Sequence, residues 1–310
     1  MPACFNTAKK LKVDEFYTMM SDIESELQNY KSLLKGKSVY CCCDHPQYSN
    51  FYKFLSSHLH DWELKEVICT CKIGDGERGL FTSRNCIQPN EITYDLEGDG
   101  SFDSKECIDI LLKTDVVITN PPFSKAQAFI KMLIEYGKKF IIVCNRNTIV
   151  TNTIFPLLMD GRIKLGFGFK KSTAYFMIPP MLYGRYKRKD MLKGVDNIVR
   201  FRNVVWLTNL EVKVPYIKRN YKKPYSESDY AKYDQYDAIN VDKITDVPYN
   251  YYGVMGVPIT FLEGFDTDEF ELVGLDRLMP LNTTRKRFTI DGKEKYARVM
   301  IKRKNKVALN

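Results

Sequence analysis

Short apolar runs alternate with segments of helical spacing through the first half of the chain. Apolar residues recur at helical intervals from Ile23 to Leu34, and Gly36 ends the helix that this pattern predicts over 13–35. The next run, "KSVYCCCD", has strand propensity and predicts a buried strand over 39–43. Pro46 then closes this segment.

The alternation continues to residue 145 and predicts a parallel sheet with helices on both faces. The predicted elements are the helix "YSNFYKFLSSHLHDW", the strand "LKEVICTCKI", the helix "SKECIDILLKT", the strand "DVVITN", the helix "SKAQAFIKMLIEYG" and the strand "KKFIIVCN". A glycine- and charge-rich stretch, 74–105, separates the second strand from the helix that follows it. Short apolar strands that alternate with helices are typical of a doubly wound α/β fold.

Beyond about residue 160 the pattern changes to strand-like segments joined by tyrosine-rich linkers. These segments are "RIKLGFGF", "TAYFMIP", "IVRFRNVVWLTNLEVKV" and "YARVMIKR". They predict that the sheet finishes with antiparallel strands, and that a less regular segment at about 180–250 decorates it.

An excess of positive charge suggests a polyanionic partner. The 310 residues include 47 Lys and Arg against 38 Asp and Glu, a formal net charge of +9. The stretches 183–194 and 216–225 interleave aromatic residues with cations, as nucleic-acid-binding surfaces do, although a solvated lysine-rich surface would look similar. The cations expected to contact phosphates are Arg185, Lys187, Arg188, Lys218, Arg219, Lys222 and Lys223.

The cysteines invite a metal-centre hypothesis that their spacing does not support. The sequence has no long uncharged apolar run and no signal-peptide core, so we expect a soluble cytoplasmic protein with no membrane partner. Its nine cysteines should then be reduced thiols. No pair has the Cys-x-x-Cys spacing of a zinc site, and the three histidines supply no second half-site. We therefore predict no metal and treat the three adjacent cysteines as small apolar side chains of a strand.

The strongest chemical signal is Asn120-Pro121-Pro122-Phe123, directly after the apolar run "DVVIT". Ligands of open α/β sheets bind at the carboxyl ends of strands, which is where this tetrapeptide should lie. The two prolines fix the backbone and remove two N–H donors, so the motif presents acceptors beside an aromatic ring. Such a site suits a planar group that carries an exocyclic amine. A plain strand-to-helix turn with prolines near a helix start is the alternative interpretation.

The chain resembles the EcoRI-type adenine-specific DNA methyltransferases, which are S-adenosylmethionine-dependent. The resemblance rests on Asn-Pro-Pro-Phe and on longer segments along nearly the whole chain. These segments are "DEFYT", "DIESELQNY", "CDHPQYSNF", "GDGSFDSKECIDILLKTDVVITNPPFS", "WLTNL", "KYDQYDAINVDK" and "GVMGVPITFLEGF".

The resemblance implies a fold and a division of the chain. The expected fold is a doubly wound, mostly parallel sheet of the class I methyltransferase type, Rossmann-like, with an antiparallel terminal hairpin. Residues 1–178 would form the S-adenosylmethionine-binding catalytic domain with its N-terminal helix. Residues 179–310 would hold the remaining strands of the catalytic sheet and the DNA-recognition segment at 180–250.

The resemblance also implies the activity and its residues. A methyl group would pass from S-adenosyl-L-methionine to the N6 of an adenine flipped out of double-stranded DNA, at a short specific sequence. Asn120, Pro121 and Phe123 would hold the adenine while Pro122 shapes the loop. The implied cofactor contacts are Phe16, Tyr17 and Thr18 for the methionine part, Asp44, Pro46, Asn50 and Phe51 in the loop after the first strand, and Asp99 with Phe102 toward the cofactor's adenine.

Departures from the family pattern leave some roles open. The loop "CDHPQYSNF" has no glycine, and "VICTCKIGD" lacks the usual acid for the ribose unless Asp75 serves. Asp103 is an alternative to Asp99. Phe176 and Trp206 are both candidates for a second aromatic that stacks on the base, although isolated aromatics in strands more often belong to the core.

Two other hypotheses compete with DNA methylation. The same tetrapeptide could serve RNA adenine or a protein glutamine, and a catalytically silent methyltransferase fold could bind DNA. The resemblance places the protein in restriction-modification and leaves open whether a cognate endonuclease acts on the same site, without implying a physical complex.

Overall fold

The structure is a computed structural model, and it describes residues 16–74, 76–87, 90–169, 173–178, 183–184, 186–279, 282 and 286–305. By its internal contacts the chain divides into two compact units. Unit 1 comprises Met1–Ile149 and Arg162–Val212, and unit 2 comprises Val150–Gly161 and Lys213–Asn310. The boundary expected at residue 178 is a functional division, and it stays a prediction.

Unit 1 contains most of the helices and the largest sheet. Its helices are α1 (Met20–Leu27), α2 (Lys31–Leu34), α3 (Asn50–Ser57), α4 (Lys105–Lys113), α5 (Ala126–Glu135) and α6 (Arg146–Ile149). Its strands are β1 (Tyr17–Thr18), β2 (Ser38–Cys41), β3 (Glu66–Cys71), β4 (Leu80–Asn85), β5 (Ile92–Asp95), β6 (Val116–Thr119), β7 (Lys139–Asn145), β8 (Lys164–Leu165), β9 (Ala174–Met177), β10 (Ile198–Phe201) and β11 (Val204–Thr208).

Eight of these strands form one sheet in the order β5-β4-β3-β2-β6-β7-β11-β8. The four central strands, β3, β2, β6 and β7, run parallel to one another. On each side of them two further strands follow, and each of these is antiparallel to the strand before it. Every residue of β2 and β6 is buried, as expected for parallel strands that are covered on both faces. The mixed α/β class predicted from the sequence is confirmed.

Two segments differ from their predicted elements. The described part of the helix predicted over 13–35 is divided, because Tyr17 and Thr18 pair with β9 as a strand and a 3-10 turn, Gln28–Tyr30, separates α1 from α2. The stretch 74–105 contains the antiparallel pair β4 and β5, which the sequence did not predict. All four residues of β5 are exposed, so this strand contributes no buried residue to the core.

A buried carboxylate on α1 holds the chain that leads from β8 toward β9. Glu26 is fully buried and accepts hydrogen bonds from the Tyr30 hydroxyl (2.9 Å) and from the backbone N–H groups of Phe167 and Gly168 (3.0 Å each). Gly166 lies so close that a Cβ there would collide with Glu26 Oε1. Burial raises the pKa of Glu26 to about 7.

Unit 2 is built around a smaller sheet. It contains α7 (Phe155–Met159) and the strands β12 (Ala238–Asn240), β13 (Val254–Pro258), β14 (Phe270–Leu275), β15 (Thr289–Ile290), β16 (Lys293–Glu294) and β17 (Arg298–Arg303). Four strands form a sheet in the order β12-β13-β17-β14, and β15 pairs with β16. The predicted strand "YARVMIKR" is β17, but it pairs with β13 and β14 instead of finishing the eight-stranded sheet.

The family motifs "KYDQYDAINVDK" and "GVMGVPITFLEGF" supply the adjacent parallel strands β12 and β13 of this sheet. Tyr233 donates a hydrogen bond to Asn240 Oδ1 (2.8 Å), and its hydroxyl occupies the space that a Cβ on Gly256 would need. The two motifs therefore stabilise the core of unit 2. Within the described residues, no helix is long and apolar enough to cross a membrane.

Candidate active site

Three predicted site segments lie at the carboxyl ends of adjacent strands of the eight-stranded sheet. Asp44 follows β2, Asn120 follows β6, and the loop that contains Asp99 packs against the end of β3. Strands β3, β2 and β6 are neighbours and run parallel. The fold thus brings these segments to the edge of the sheet where ligands of α/β proteins bind.

Asp44 is the most highly connected polar residue of this edge. Its carboxylate is buried and accepts hydrogen bonds from Ser49 Oγ (2.6 Å) and from Thr119 Oγ1 (2.5 Å). Its backbone N–H donates to the carbonyl of Thr70 (3.2 Å). Asp44 therefore ties the loop after β2 to β3, to β6 and to the residue that caps α3.

The carboxamide of Asn120 has a hydrogen-bond partner on its nitrogen and, among the described residues, none on its oxygen. Its Nδ2 donates to the backbone carbonyl of Phe16 (2.5 Å). Its Oδ1 is buried and has no hydrogen-bond partner among the described residues. Pro121 and Pro122 supply no N–H donors, and the Pro122 carbonyl accepts the N–H of Lys125 (3.0 Å) in the turn before α5. The structure thus holds a dry, oriented acceptor at the end of β6.

Phe123 belongs to a cluster of aromatic rings. Its ring stacks on Phe16 with centroids 5.9 Å apart and an interplanar angle of 19°, and it meets the ring edges of Phe176 and Phe201 at 6.0 and 5.9 Å. Phe123 retains 8% of its surface exposed, whereas Phe176 is fully buried. Trp206, the other predicted second stacking residue, is also buried, so both candidates lie in the core.

The described part of the motif "DEFYT" consists of Phe16 and strand β1, while Asp14 and Glu15 lie outside the described residues. Asn50 Nδ2 donates to the carbonyl of Thr18 (2.8 Å), which fixes β1 to the start of α3. Thr18 Oγ1 is buried and has no hydrogen-bond partner in the part of the chain that the structure describes. The Tyr17 ring lies 6.0 Å from that of Tyr48, which is exposed. Each of the two predicted motifs therefore contains a buried polar atom for which the described residues supply no partner.

The other two predicted residues of the loop after β2 differ in burial. Pro46 is half-buried. The Phe51 ring is buried and meets the edge of Trp206 at 5.8 Å, while its backbone N–H donates to Ser49 Oγ (3.1 Å). Phe51 thus packs in the core beneath the loop.

Asp99 is half-exposed and held by its own loop. It accepts hydrogen bonds from the backbone N–H (2.9 Å) and hydroxyl (3.1 Å) of Ser101, and Lys72 Nζ lies 3.4 Å from its Oδ2. The Ser101 N–H, more than the nearby Lys72, holds the pKa of Asp99 below its usual value. Asp75, the candidate for the ribose, lies outside the described residues.

Two glycines let the Asp99 loop reach the end of β3. Gly100 has φ +74°, and a Cβ there would collide with the carbonyl oxygen of Cys71. Gly79 meets Gly100 equally closely. Phe102 then packs into the core, where its ring meets the Phe129 edge at 4.9 Å.

The predicted phosphate contacts in unit 2 fall into two classes. Lys218 and Lys222 are exposed. Arg219 donates to the backbone carbonyls of Glu263 (2.6 Å) and Gly264 (3.4 Å), and its guanidinium lies 4.8 Å from the Phe261 ring centroid. Arg219 therefore stabilises unit 2 directly, which its position in a basic stretch did not indicate.

The remaining predicted phosphate contacts differ in what the structure describes. Lys223 Nζ lies 4.9 Å from the centroid of the Tyr230 ring. Lys187 is exposed in unit 1. Arg188 lies in a short 3-10 turn, but its side chain and the whole of Arg185 lie outside the described part.

The adjacent cysteines are apolar in character. Cys41 and Cys42 are buried, and so is Cys69, which pairs with Cys41 across β2 and β3. Burial raises the pKa of all three thiols, which disfavours the thiolate that metals and oxidants require. No group of three or more potential metal ligands occurs among the described residues.

Sequence reasoning missed the residues that hold Asp44. Ser49 is the N-cap of α3, a role that "YSNF" before a helical run could have indicated. Thr119 is the last residue of β6, and nothing in a single sequence distinguishes its hydroxyl from other strand threonines.

Comparison with known proteins tests the resemblance seen in the sequence. Residues 4–304 match the family model described as "Adenine-specific methyltransferase EcoRI". Type II methyltransferase M.EcoRI of Escherichia coli is 39% identical over 96% of this chain and 95% of its own length. Type II methyltransferase M.MpnI of Mycoplasma pneumoniae is 32% identical over 98% of this chain and 99% of its own, and M.MgeORF184P of Mycoplasma genitalium is 32% identical over 96% and 98%.

No solved structure gives a significant match. The family model spans nearly the whole chain, and the relatives cover it from end to end, so the likeness is not confined to the Asn-Pro-Pro-Phe motif. The resemblance seen in the sequence is therefore confirmed, and the chain belongs to the EcoRI family of adenine-specific methyltransferases.

Proposed function

We propose that this protein transfers a methyl group to the exocyclic N6 of adenine in a short specific sequence of duplex DNA. The observation that carries the proposal is the buried Oδ1 of Asn120, which has no partner in the described part of the chain and whose orientation is set by the Nδ2 bond to the Phe16 carbonyl. A buried acceptor without a partner costs about 1–3 kcal/mol. A ligand amine that donates to this oxygen removes that cost.

The chemistry of adenine fits such an acceptor. The N6 lone pair is conjugated with the ring, so the amine is a poor nucleophile until its geometry changes. Asn120 Oδ1 can accept one N–H, and the Pro121 carbonyl is our choice for the other, because the Pro122 carbonyl already accepts from Lys125. Accepting both N–H groups favours the geometry in which the lone pair points at an electrophile.

The aromatic cluster supports a base that has left the duplex. An adenine inside a helix cannot reach Asn120, so the target nucleotide must be flipped out. Phe123 is the aromatic residue of the tetrapeptide. Its ring stacks on Phe16, and a flipped base could take the place of Phe16 in this stack or extend it. Phe176 and Phe201 would then support Phe123 from behind.

The residues at the edge of the sheet fit S-adenosyl-L-methionine. The buried Thr18 Oγ1 without a partner among the described residues is the observation that supports this fit. When bound, S-adenosylmethionine supplies an electrophilic methyl group. The residues proposed to hold it are Phe16, Tyr17, Thr18, Asp44, Pro46, Asn50, Asp99 and Phe102, with Phe51 packed beneath them.

A finer description of the fold follows from this function. We propose that the eight-stranded sheet is a doubly wound sheet of the class I methyltransferase type, in which β11 and β8 form the antiparallel end. Residues 1–178 would carry cofactor binding and catalysis. DNA recognition would come from 180–250. Among the cations, the exposed Lys187, Lys218 and Lys222 are the first candidates for phosphate contacts. Arg219 and Lys223 rank after them, because their side chains already contact the Glu263 carbonyl and the Tyr230 ring.

The alternative acceptors differ in the polymer that carries the amine. RNA adenine and a protein glutamine could also donate to Asn120 Oδ1. The relatives are named Type II methyltransferases, which favours duplex DNA as the substrate and a place in restriction-modification. A silent DNA-binding fold would have no reason to keep an oriented acceptor.

Nucleoside analysis tests the proposal. DNA from cells with and without this protein would be sequenced for modified adenines, and we expect N6-methyladenine at one short sequence only where the protein is expressed. Methyl groups on RNA or on protein glutamine would support the alternatives. Calorimetric titration with S-adenosylmethionine addresses the silent fold, because that hypothesis predicts no heat of binding.

A further inference from the structure

Two tyrosine-rich segments lie side by side in unit 2. The N–H of Tyr249 donates to the Lys223 carbonyl (3.1 Å), and the N–H of Tyr225 donates to Asn250 Oδ1 (2.7 Å). These bonds join 221–225 to 249–252, two segments that have no regular secondary structure. The arrangement was not evident from the sequence, where only the first segment stood out as basic and aromatic.

The inner tyrosines of this pair support the surface. The Tyr225 ring lies 4.5 Å from that of Tyr251 and 5.8 Å from that of Tyr230. Lys223 Nζ covers the Tyr230 ring at 4.9 Å. Packed rings of this kind restrict the backbone on which the outer side chains stand.

The outer side chains are exposed. Tyr249 and Tyr252 keep 50% and 49% of their surface in solvent, and Lys222 is exposed on the neighbouring segment. We call Lys222, Tyr249 and Tyr252 the tyrosine surface. Its charge favours a polyanion, because 212–225 contains five Lys or Arg and no acidic residue, and 247–253 contains no charged residue at all.

We infer that the tyrosine surface binds the phosphate backbone of double-stranded DNA without reading its sequence. The inference rests on the proposed function, and it assigns DNA contacts to tyrosines outside the basic stretches. Lys222 pairs with a phosphate as a charge, and the hydroxyls of Tyr249 and Tyr252 donate to neighbouring phosphate oxygens. The rings pack against the sugars and exclude water from these contacts.

The two kinds of contact respond differently to salt. A lysine that neutralises a phosphate releases counterions, so its removal reduces the slope of log K against log salt by about 0.9. A tyrosine hydroxyl is neutral, and its removal weakens binding without changing the slope. A general loss of folding would not produce this difference in salt slope between the lysine and tyrosine variants.

The test measures duplex DNA affinity by fluorescence anisotropy at several salt concentrations. The double variant Tyr249→Phe/Tyr252→Phe should bind roughly thirty-fold more weakly with an unchanged salt slope, since each of the two lost hydrogen bonds contributes about 1 kcal/mol. Lys222→Ala should flatten the slope by about one ion. Tyr296→Phe is the matched control, because Tyr296 is 80% exposed elsewhere in unit 2, and it should bind as the wild type.

Each outcome decides between alternatives. Wild-type affinity in the double variant with an unchanged slope in Lys222→Ala would overturn the inference, as would a loss confined to one DNA sequence or a preference for single-stranded RNA. If the double variant unfolds at a lower temperature, the single variants Tyr249→Phe and Tyr252→Phe decide, and each should bind about five-fold more weakly with an unchanged salt slope. Where the wild type methylates DNA but these variants bind normally, only this inference fails; where it neither binds nor methylates DNA, the proposed function fails too.

Discussion

The edge of the eight-stranded sheet and the tyrosine surface hold their polar groups in contrasting ways. At the edge, Asp44 and Asn120 are fixed by buried hydrogen bonds, and an acceptor oxygen is kept dry. In unit 2, Lys222 and two tyrosines stand in solvent on irregular backbone. Chemistry on a single amine needs one fixed geometry, whereas phosphate binding tolerates many, because charge attraction depends weakly on angle.

The comparison predicts that substitutions at the edge cost stability as well as function. Asp44→Ala leaves two buried hydroxyls, Ser49 and Thr119, without their acceptor, so we expect the free energy of unfolding to fall by roughly 4 kcal/mol. Cofactor affinity measured by calorimetry should fall at least about ten-fold. Asp61→Ala makes the same change at an exposed position and should alter neither quantity. Equal stability of the two variants would contradict the role given to Asp44.

The buried charge of unit 1 should also make its stability depend on pH. Burial raises the pKa of Glu26 from its ordinary value of 4.5 to about 7, so the folded protein holds this proton more tightly than the unfolded chain. The contribution of Glu26 to the free energy of unfolding therefore falls as pH rises from 4.5 to 7 and is constant above.

Glu26→Gln removes this dependence. Between pH 4.5 and pH 8 the difference in stability between the two proteins should move by roughly 3 kcal/mol in favour of the variant. Urea unfolding at each pH measures it. The exposed Glu63, paired with Lys35, is the control for replacing a glutamate of this unit by glutamine.

Two neighbouring cations of unit 2, Arg219 and Lys218, should differ in the same way, one affecting stability and the other DNA binding. Arg219→Ala loses two bonds to backbone carbonyls and a ring contact, so we expect roughly 2 kcal/mol of destabilisation. Lys218→Ala should leave the melting temperature unchanged and reduce the salt slope of DNA binding by about 0.9. A stable Arg219→Ala with a reduced slope would show that Arg219 is a phosphate contact after all.

The smallest effect is expected where the sequence first suggests chemistry. Cys42 is buried, and its thiol acts as a small apolar group, so Cys42→Ala should leave the rate of methyl transfer within about two-fold of the wild type. Transfer assays with and without a chelator check this. A large loss that added zinc restored would reinstate the metal hypothesis.

The sequence predicted the parts of the fold that carry a local pattern. The buried strands β2, β3, β6 and β7 and the helices between them followed from apolar runs and helical spacing. Strand β5 was not predicted, because it is only four residues long and lies in a stretch whose glycines and charges indicate a loop. The second sheet was also missed, since β17 has the pattern of any strand and only its partners show which sheet it joins.

The candidate site, too, was predicted only where the sequence carries a local pattern. Asn120 was found because its neighbours in the chain, two prolines and a phenylalanine, define its chemistry. The orientation of its amide could not be predicted, because the Phe16 carbonyl that fixes it lies 104 residues away in the sequence. Arg219 and the tyrosine surface likewise depend on contacts with 263–264 and 249–252, which no local motif records.

Single-turnover methyl transfer to duplex DNA by the wild type and by Asn120→Ala tests whether Asn120 Oδ1 accepts the target amine. Asn29→Ala is the control, because Asn29 Nδ2 also donates to backbone carbonyls but lies in the exposed 3-10 turn after α1. The account predicts N6-methyladenine from the wild type and a rate lower by about 10²–10³-fold for Asn120→Ala, with cofactor affinity unchanged. A variant that transfers at the wild-type rate, or a product methylated on another base, would contradict it.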